Sequence, residues 1–365
     1  MASPTYLNMQ TSLNRNCSYI NRDRSAWIKG VLTFFIILGH NMTFTIPLND
    51  WGVMSFFYTF HVHCFFLLPF LYGSSPLTRK RLWTQLVRLY WPFFILSTSI
   101  MLGVGLYTHF HNFSWTQLLS MYSGSSASLR SLCRYQALWF LPVMLATLIL
   151  RDLFYHHCGR LQKVMLLVLS FFVLLHPFLS FHGWIGSAQN FLFLPFSALR
   201  YLLLGVICRY VFGWLQNKNP YVSLYVALLL FLFGTILYVF YVATQIKYGV
   251  NTCFLFLQVW MPLVVLVILR WLPCTFSARI NRWLIKVGEE SLAIYLISPF
   301  VGYASFFLLE YIGGVYWWVG FVLQFCILLV AYNLALFVKS TWLGRLIMPH
   351  SPQDLLDCIR MKRWF

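Results

Sequence analysis

The sequence predicts an all-α fold: a polytopic membrane helix bundle of about ten transmembrane helices with both termini in the cytosol. Three observations carry this. Hydrophobic residues make up 60% of the 365-residue chain, the mean hydropathy is +0.72 and only 9% of residues are charged, whereas soluble proteins carry about 25%. Apolar runs long enough to cross a bilayer recur along the chain. Basic residues cluster between alternate runs, as the positive-inside rule requires. The expected organisation is a cytosolic segment at 1–25, a transmembrane domain at 26–338 and a cytosolic tail at 339–365.

A spanning helix needs about 20 mostly apolar residues, and the runs follow in order. After the polar residues 1–25, the first run, 26–45, has Lys29 at its cytosolic edge and carries His40. The second, 51–72, carries His61 and His63. The third, 88–107, follows the cluster Arg79, Lys80, Arg81 and Arg88. A connection from about Thr108 to Gln136, rich in Ser and aromatics and containing His109 and His111, leads to a short fourth run at 137–151. Runs at 161–180, 190–211 (with Arg200), 221–244, 250–270, 288–308 and 314–338 complete the ten. With the N-terminus inside, all but four of the 26 lysines and arginines fall on the cytosolic side. The exceptions are Arg130, Arg134 and Lys247 outside and Arg200 within a helix. A wrong helix count would scramble this asymmetry.

The net charge of +18 does not point to nucleic acid, because the cations are scattered among cytosolic clusters rather than gathered in one patch. None of the eight acidic residues lies deep in a predicted helix, so no buried carboxylate pair is expected. The nine cysteines show no CxxC or Cys/His spacing, and no metal site is expected. Cys133 and Cys253 can both face outside, which allows a disulfide.

Ionisable side chains inside a bilayer are costly and are functional candidates by default. The middle of a roughly 30 Å hydrocarbon core lies about ten residues from either edge. His40 is eleven residues after Lys29, and His61 is ten after Trp51. Arg200, Ser298 and Gln324 are each ten after an edge residue, namely Asn190, Gly288 and Gly314. Five polar side chains from five helices thus reach similar depth and, if they converge, line a polar cavity. Lys29 and His40 share one helix face, roughly 16 Å apart. A ligand with anionic phosphates at one end and a long arm ending in a thioester, such as coenzyme A, has that reach. His61 and His63 lie about 200° apart on a helix, so only one of them can share a cavity with His40. Structural readings stand beside these: His40 also suits a helix–helix hydrogen bond, Lys29 equally suits a snorkelling anchor, and His63 is read as structural.

Four motifs in order resemble integral-membrane acyltransferase family 3. Trp27-Ile28-Lys29-Gly30 through Leu38-Gly39-His40 resembles the family's basic residue, ten residues, then His. Phe60-His61-Val62-His63-Cys64-Phe65-Phe66 is similar to its Phe-His-Met-Pro-Leu-Phe-Phe motif, with His63 where Pro is frequent. Leu138-Trp139-Phe140-Leu141-Pro142 matches a Leu-Trp-Phe-Leu-Pro helix start. Ser291 through Tyr295, Ser298 and Pro299 resembles Ser-Leu-Ala-Ile-Tyr-Leu-Leu-His-Pro, with Ser298 replacing the usual His.

The resemblance implies transfer of an acyl group, usually acetyl from acetyl-CoA, to a hydroxyl of a surface polysaccharide, lipid-linked glycan or peptidoglycan sugar. It implies a multi-pass protein of the bacterial cytoplasmic membrane, with acyl-CoA, a glycan acceptor and membrane lipids as partners. The expected roles follow. His40 is the general base on the acceptor hydroxyl. His61 or Arg200 stabilises the thioester oxygen as it becomes negative. Lys29, with Arg79, Lys80 or Arg81, holds the donor's phosphates. A covalent acyl-histidine is an open variant. A transporter or exporter of a glycan or small anionic metabolite is the rival from another class, and a regulatory protein with an inactive family fold is a third reading.

Overall fold

The structure, a computed structural model, describes residues 19–48, 52–108, 114–133, 136–175, 189–248, 252–272, 277–313 and 316–360. Among them every regular element is helical. His109, His111, Arg134 and Cys17 lie outside the described residues, as does the side chain of Cys253. Six helices are long and apolar enough to cross a membrane: Arg79–Thr108, Ala137–His156, Leu192–Leu215, Pro220–Val242, Ser291–Tyr311 and Trp317–Ser340; shorter apolar helices cover Ser55–Leu71 and Phe256–Trp271. The chain is therefore an all-α, multi-pass membrane protein.

The helices fall into two compact units, one of Met1–Gly73 and Leu204–Leu336, the other of Ser74–Leu203 and Phe337–Phe365. In the first unit, α1 (Arg22–His40) starts at Asn21, whose side chain accepts from the Arg24 N–H. Sequence patterning carries this helix to 45, but it stops at Asn41, which adopts an extended conformation and caps a one-turn helix at Met42–Thr45. The second expected helix is also broken, into α2 (Val53–Tyr58) and α3 (His61–Leu67). The break sits at Thr59 and Phe60, where the Thr59 hydroxyl donates to the Phe56 carbonyl at 2.7 Å and Phe60 leaves helical geometry at φ −138°.

The second unit opens with α4 (Arg79–Thr108), 30 residues or about 45 Å long. The expected start at 88 moves back to Arg79 because the Thr78 hydroxyl caps it by accepting from the Arg81 N–H. A π-helical stretch at Leu86–Tyr90 lies within it. The long outer connection folds into α5 (Trp115–Tyr122) and α6 (Ser126–Cys133). The turn between them needs Gly124 at φ +84°, and a Cβ there would meet the Pro142 ring at 2.7 Å. Then come α7 (Phe140–His156) and α8 (Arg160–Leu175). Cys133 is a free thiol that donates to the Ser97 carbonyl at 3.3 Å.

The chain continues through α9 (Gln189–Leu215), α10 (Pro220–Tyr248) and α11 (Thr252–Trp271). Before α13 (Ser291–Tyr311) lies α12 (Ala278–Glu289), a helix within the stretch whose charges mark it as a basic cytosolic connection. Its cap is Ser277, and it packs along α1 at backbone contact: a Cβ on Gly30 would run into the Leu284 carbonyl, and one on Gly288 into that of Ala26. After α14 (Trp317–Ser340), the tail folds into α15 (Trp342–Ile347) and α16 (Pro352–Ile359). The Trp91 indole donates to the Leu346 carbonyl at 2.8 Å, which ties α15 to α4.

Candidate active site

Two of the sequence-predicted residues meet in the first unit. The rings of His40, at the end of α1, and His61, at the start of α3, lie 5.9 Å apart and nearly perpendicular. Both interruptions serve this meeting. The end of α1 leaves His40 at a helix terminus, and the break at Thr59–Phe60 restarts the chain at His61. Gly39 lets α2 approach, since a Cβ there would sit 3.2 Å from Phe57 Cβ and 3.5 Å from the His61 ring.

The hydrogen bonds assign the tautomers, because a carbonyl oxygen can only accept. His40 Nδ1 donates to the Ile36 carbonyl at 2.7 Å, and His61 Nδ1 donates to the Phe57 carbonyl. Both Nε2 atoms therefore carry lone pairs. The Tyr58 hydroxyl donates to His40 Nε2 at 2.7 Å, and its ring lies 5.0 Å from that of His61. His61 is fully buried, and among the described residues its Nε2 has no hydrogen-bond partner. A buried acceptor left without a donor is uncommon in folded proteins and calls for an explanation.

Asn41 braces the end of α1. Its amide donates to the Gly320 carbonyl at 2.9 Å and to Gln324 Oε1 at 3.3 Å, and Gln324 returns a bond to the Phe34 carbonyl at 3.0 Å. Gln324 thus lies beside the end of α1, bonded to Asn41 rather than to a histidine. Ser298 is buried on α13. His63 is buried on α3. Lys29 lies on α1, which runs unbroken to His40, so the two share a face about 16 Å apart.

The remaining candidates belong to the second unit. Arg200 lies on α9, and Arg79 and Lys80 are exposed in the first turn of α4. Arg81 donates through Nε to Asp152 Oδ2 at 2.7 Å. Asp152 is fully buried and accepts two further bonds on Oδ1, from Arg151 Nε at 2.9 Å and Nη2 at 2.6 Å. The expectation that no acidic residue lies within a helix fails at Asp152, because α7 continues past 151 to His156 and carries it inside, between two arginines. Among the described residues no three His, Cys, Asp or Glu side chains gather into a metal-binding group.

Tyr58 and Asn41 are the site residues that sequence reasoning missed. Tyr58 lies three residues before His61, on the same face of a continuous helix, which is the one available signal.

No curated protein and no solved structure matches the chain significantly. A family model described as an acyltransferase domain matches residues 23–336, nearly the whole membrane portion including His40 and His61. The chain belongs to acyltransferase family 3 and is a multi-pass membrane acyltransferase.

Proposed function

We propose that the protein is an O-acyltransferase that moves an acyl group, most simply acetyl, from acyl-CoA to a hydroxyl of a surface polysaccharide or lipid-linked glycan at a bacterial cytoplasmic membrane. The observation that carries this reading is the pair of facing imidazoles, each with its Nδ1 fixed by a carbonyl and its Nε2 left as an acceptor.

In the proposed step the acceptor hydroxyl takes the place of the Tyr58 hydroxyl at His40 Nε2, or acts through it. As the hydroxyl oxygen bonds to the thioester carbonyl carbon, its proton passes to His40 Nε2. The tetrahedral intermediate then expels the thiolate. The C–S bond breaks and the thiolate takes the proton from the imidazolium, which leaves an ester, free CoA thiol and neutral His40. His61 Nε2, a second acceptor on a ring 5.9 Å away, suits a neighbouring hydroxyl, and a sugar supplies adjacent hydroxyls. Lys29, on the same face of α1, is the proposed contact for the donor's phosphates. The hydrogen bonds favour His61 as an acceptor; stabilising an oxyanion would require a donor on Nε2.

The test is mass spectrometry of surface glycans from cells carrying the intact gene, a deletion or His40→Ala. An acetyl-sized mass present only with the intact gene supports the reading. Identical glycan masses in all three, with less glycan exported from the last two, would sink it in favour of transport.

A further inference from the structure

A cavity of roughly 470 Å³ lies in the first unit where the N-terminus of α1, the C-terminus of α11 and the middle of α12 meet. Its chemistry is that of a phosphate pocket with an aromatic wall. Arg24 donates to the Arg270 carbonyl and lies over the Trp27 ring at 5.8 Å. Arg270 lies over the Trp271 ring at 4.8 Å and the Phe212 ring at 5.3 Å, and its Nη1 reaches the Phe212 carbonyl at 3.5 Å. No carboxylate pairs with Arg270 among the described residues. Asp23 is the one acidic lining residue, against two guanidinium groups. Asn281 lines the cavity and is held by the Trp27 indole N–H, which donates to its Oδ1 at 2.9 Å. Stacked guanidinium groups with donors in a fixed fork suit a phosphate oxygen cluster.

The donor proposed above does not explain this cavity. At 100° per residue, Lys29 and His40 lie roughly 140–160° around α1 from Arg24 and Trp27. The phosphate-to-thioester track therefore runs on one face of α1, and the cavity opens on the opposite one. The cavity does coincide with the features of a membrane interface. Helix α11 ends at Trp271, and tryptophans concentrate at headgroup level. Helix α12 is amphipathic and carries Arg279, Arg282 and Lys286 exposed to solvent, the pattern of a helix lying on an anionic surface.

From these observations we infer that the cavity formed by Arg24, Arg270, Trp27, Trp271 and Asn281 is a binding site for the phosphate headgroup of an anionic phospholipid, separate from the acyl-transfer site. The guanidinium groups take the phosphodiester, the indoles cover the glycerol, and α12 holds the surrounding surface.

The test uses the full-length protein in nanodiscs, with phosphatidylglycerol as the probe and phosphatidylcholine as the comparison. Native mass spectrometry is expected to find one tightly retained phosphatidylglycerol per chain. Arg270→Gln should weaken its retention at least tenfold, whereas Arg279→Gln, at an exposed side chain of α12, should weaken it less than threefold. Equal retention of the two lipids, or equal loss in the two variants, overturns the site. Displacement by adenosine 3′,5′-bisphosphate at matched concentration also overturns it and assigns the cavity to a soluble nucleotide. If Arg270→Gln does not fold, a photoactivatable phosphatidylglycerol on the unaltered protein decides. Cross-links within 19–27 and 270–285 support the site, and cross-links confined elsewhere remove it.

Discussion

Two buried polar clusters, one in each unit, show opposite uses of polarity among apolar helices. In the second unit Asp152 is enclosed by Arg81 and Arg151, and both of its oxygens accept charge-assisted bonds. In the first unit His40 and His61 face each other with no ion-pair partner in the cluster, and His61 Nε2 has no donor among the described residues. A charge surrounded by its complement is a structural joint, because little remains for a ligand to gain. An acceptor kept buried without a donor costs stability; Gln85 Oε1, beside Asp152, is also without a donor among the described residues, so it is the absence of any counter-charge, not the open acceptor alone, that sets the histidine pair apart.

The contrast is broken or sharpened by four substitutions or labels, taken from the largest expected effect. His40→Ala should lower acyl transfer by about 10²–10⁴-fold, the usual contribution of a general base, with the protein still present at its normal level in the membrane. A fall in protein level matching the fall in activity would instead make His40 a joint like Asp152. Asp152→Ala should do the reverse. It leaves Arg151 and Arg81 without their counter-charge and should cost about 3–5 kcal/mol of stability, read as a lower melting midpoint in detergent. Transfer per folded molecule should fall much less than stability does. A variant that melts normally but transfers nothing would move Asp152 into the site.

Tyr58→Phe comes next. It removes the donor on His40 Nε2 and about 0.5–1.5 kcal/mol of hydrogen bonding, so kcat should change by roughly threefold to tenfold. A change as large as that of His40→Ala would make Tyr58 an obligatory proton carrier. The smallest effect is expected at Cys133, outside the spanning helices. Burial pushes its thiol up to about 12, so the thiolate is scarce at every pH well below that value. Maleimide at pH 8 should leave Cys133 unlabelled in the folded protein and label it after denaturation. Labelling in the native state would show that α6 opens.

The legible and illegible parts of the site divide along the same physical line. His40 and His61 stood out because ionisable groups are rare in apolar runs, and their rings meet at 5.9 Å. Gln324, singled out by counting from the helix edge, bonds to Asn41, the residue after His40. The breaks at Asn41 and Thr59–Phe60 were not legible, because both lie inside runs whose hydrophobicity continues across them. With them went Tyr58 and Asn41, whose roles depend on where the helices stop. Arg209 reads as one more cytosolic cation, yet it is buried and donates to the carbonyls of Phe70 and Tyr72 at 2.8 and 3.0 Å. Helix α12 was hidden for the opposite reason: its charges mark it as a connection, while Gly30 and Gly288, which let it touch α1, are small residues with no hydrophobic signal.

The sequence by itself determined the class of the protein, since hydrophobic length and charge placement are one-dimensional properties that the bilayer reads directly. It also singled out His40 and His61 as ionisable side chains within apolar runs. Only the tertiary structure decided which of them meet, which nitrogen of each imidazole remains available, and which charges are already spent on one another. Those outcomes depend on where backbone hydrogen bonding is interrupted and on which carbonyls the interruptions expose, and neither is carried by local hydrophobicity.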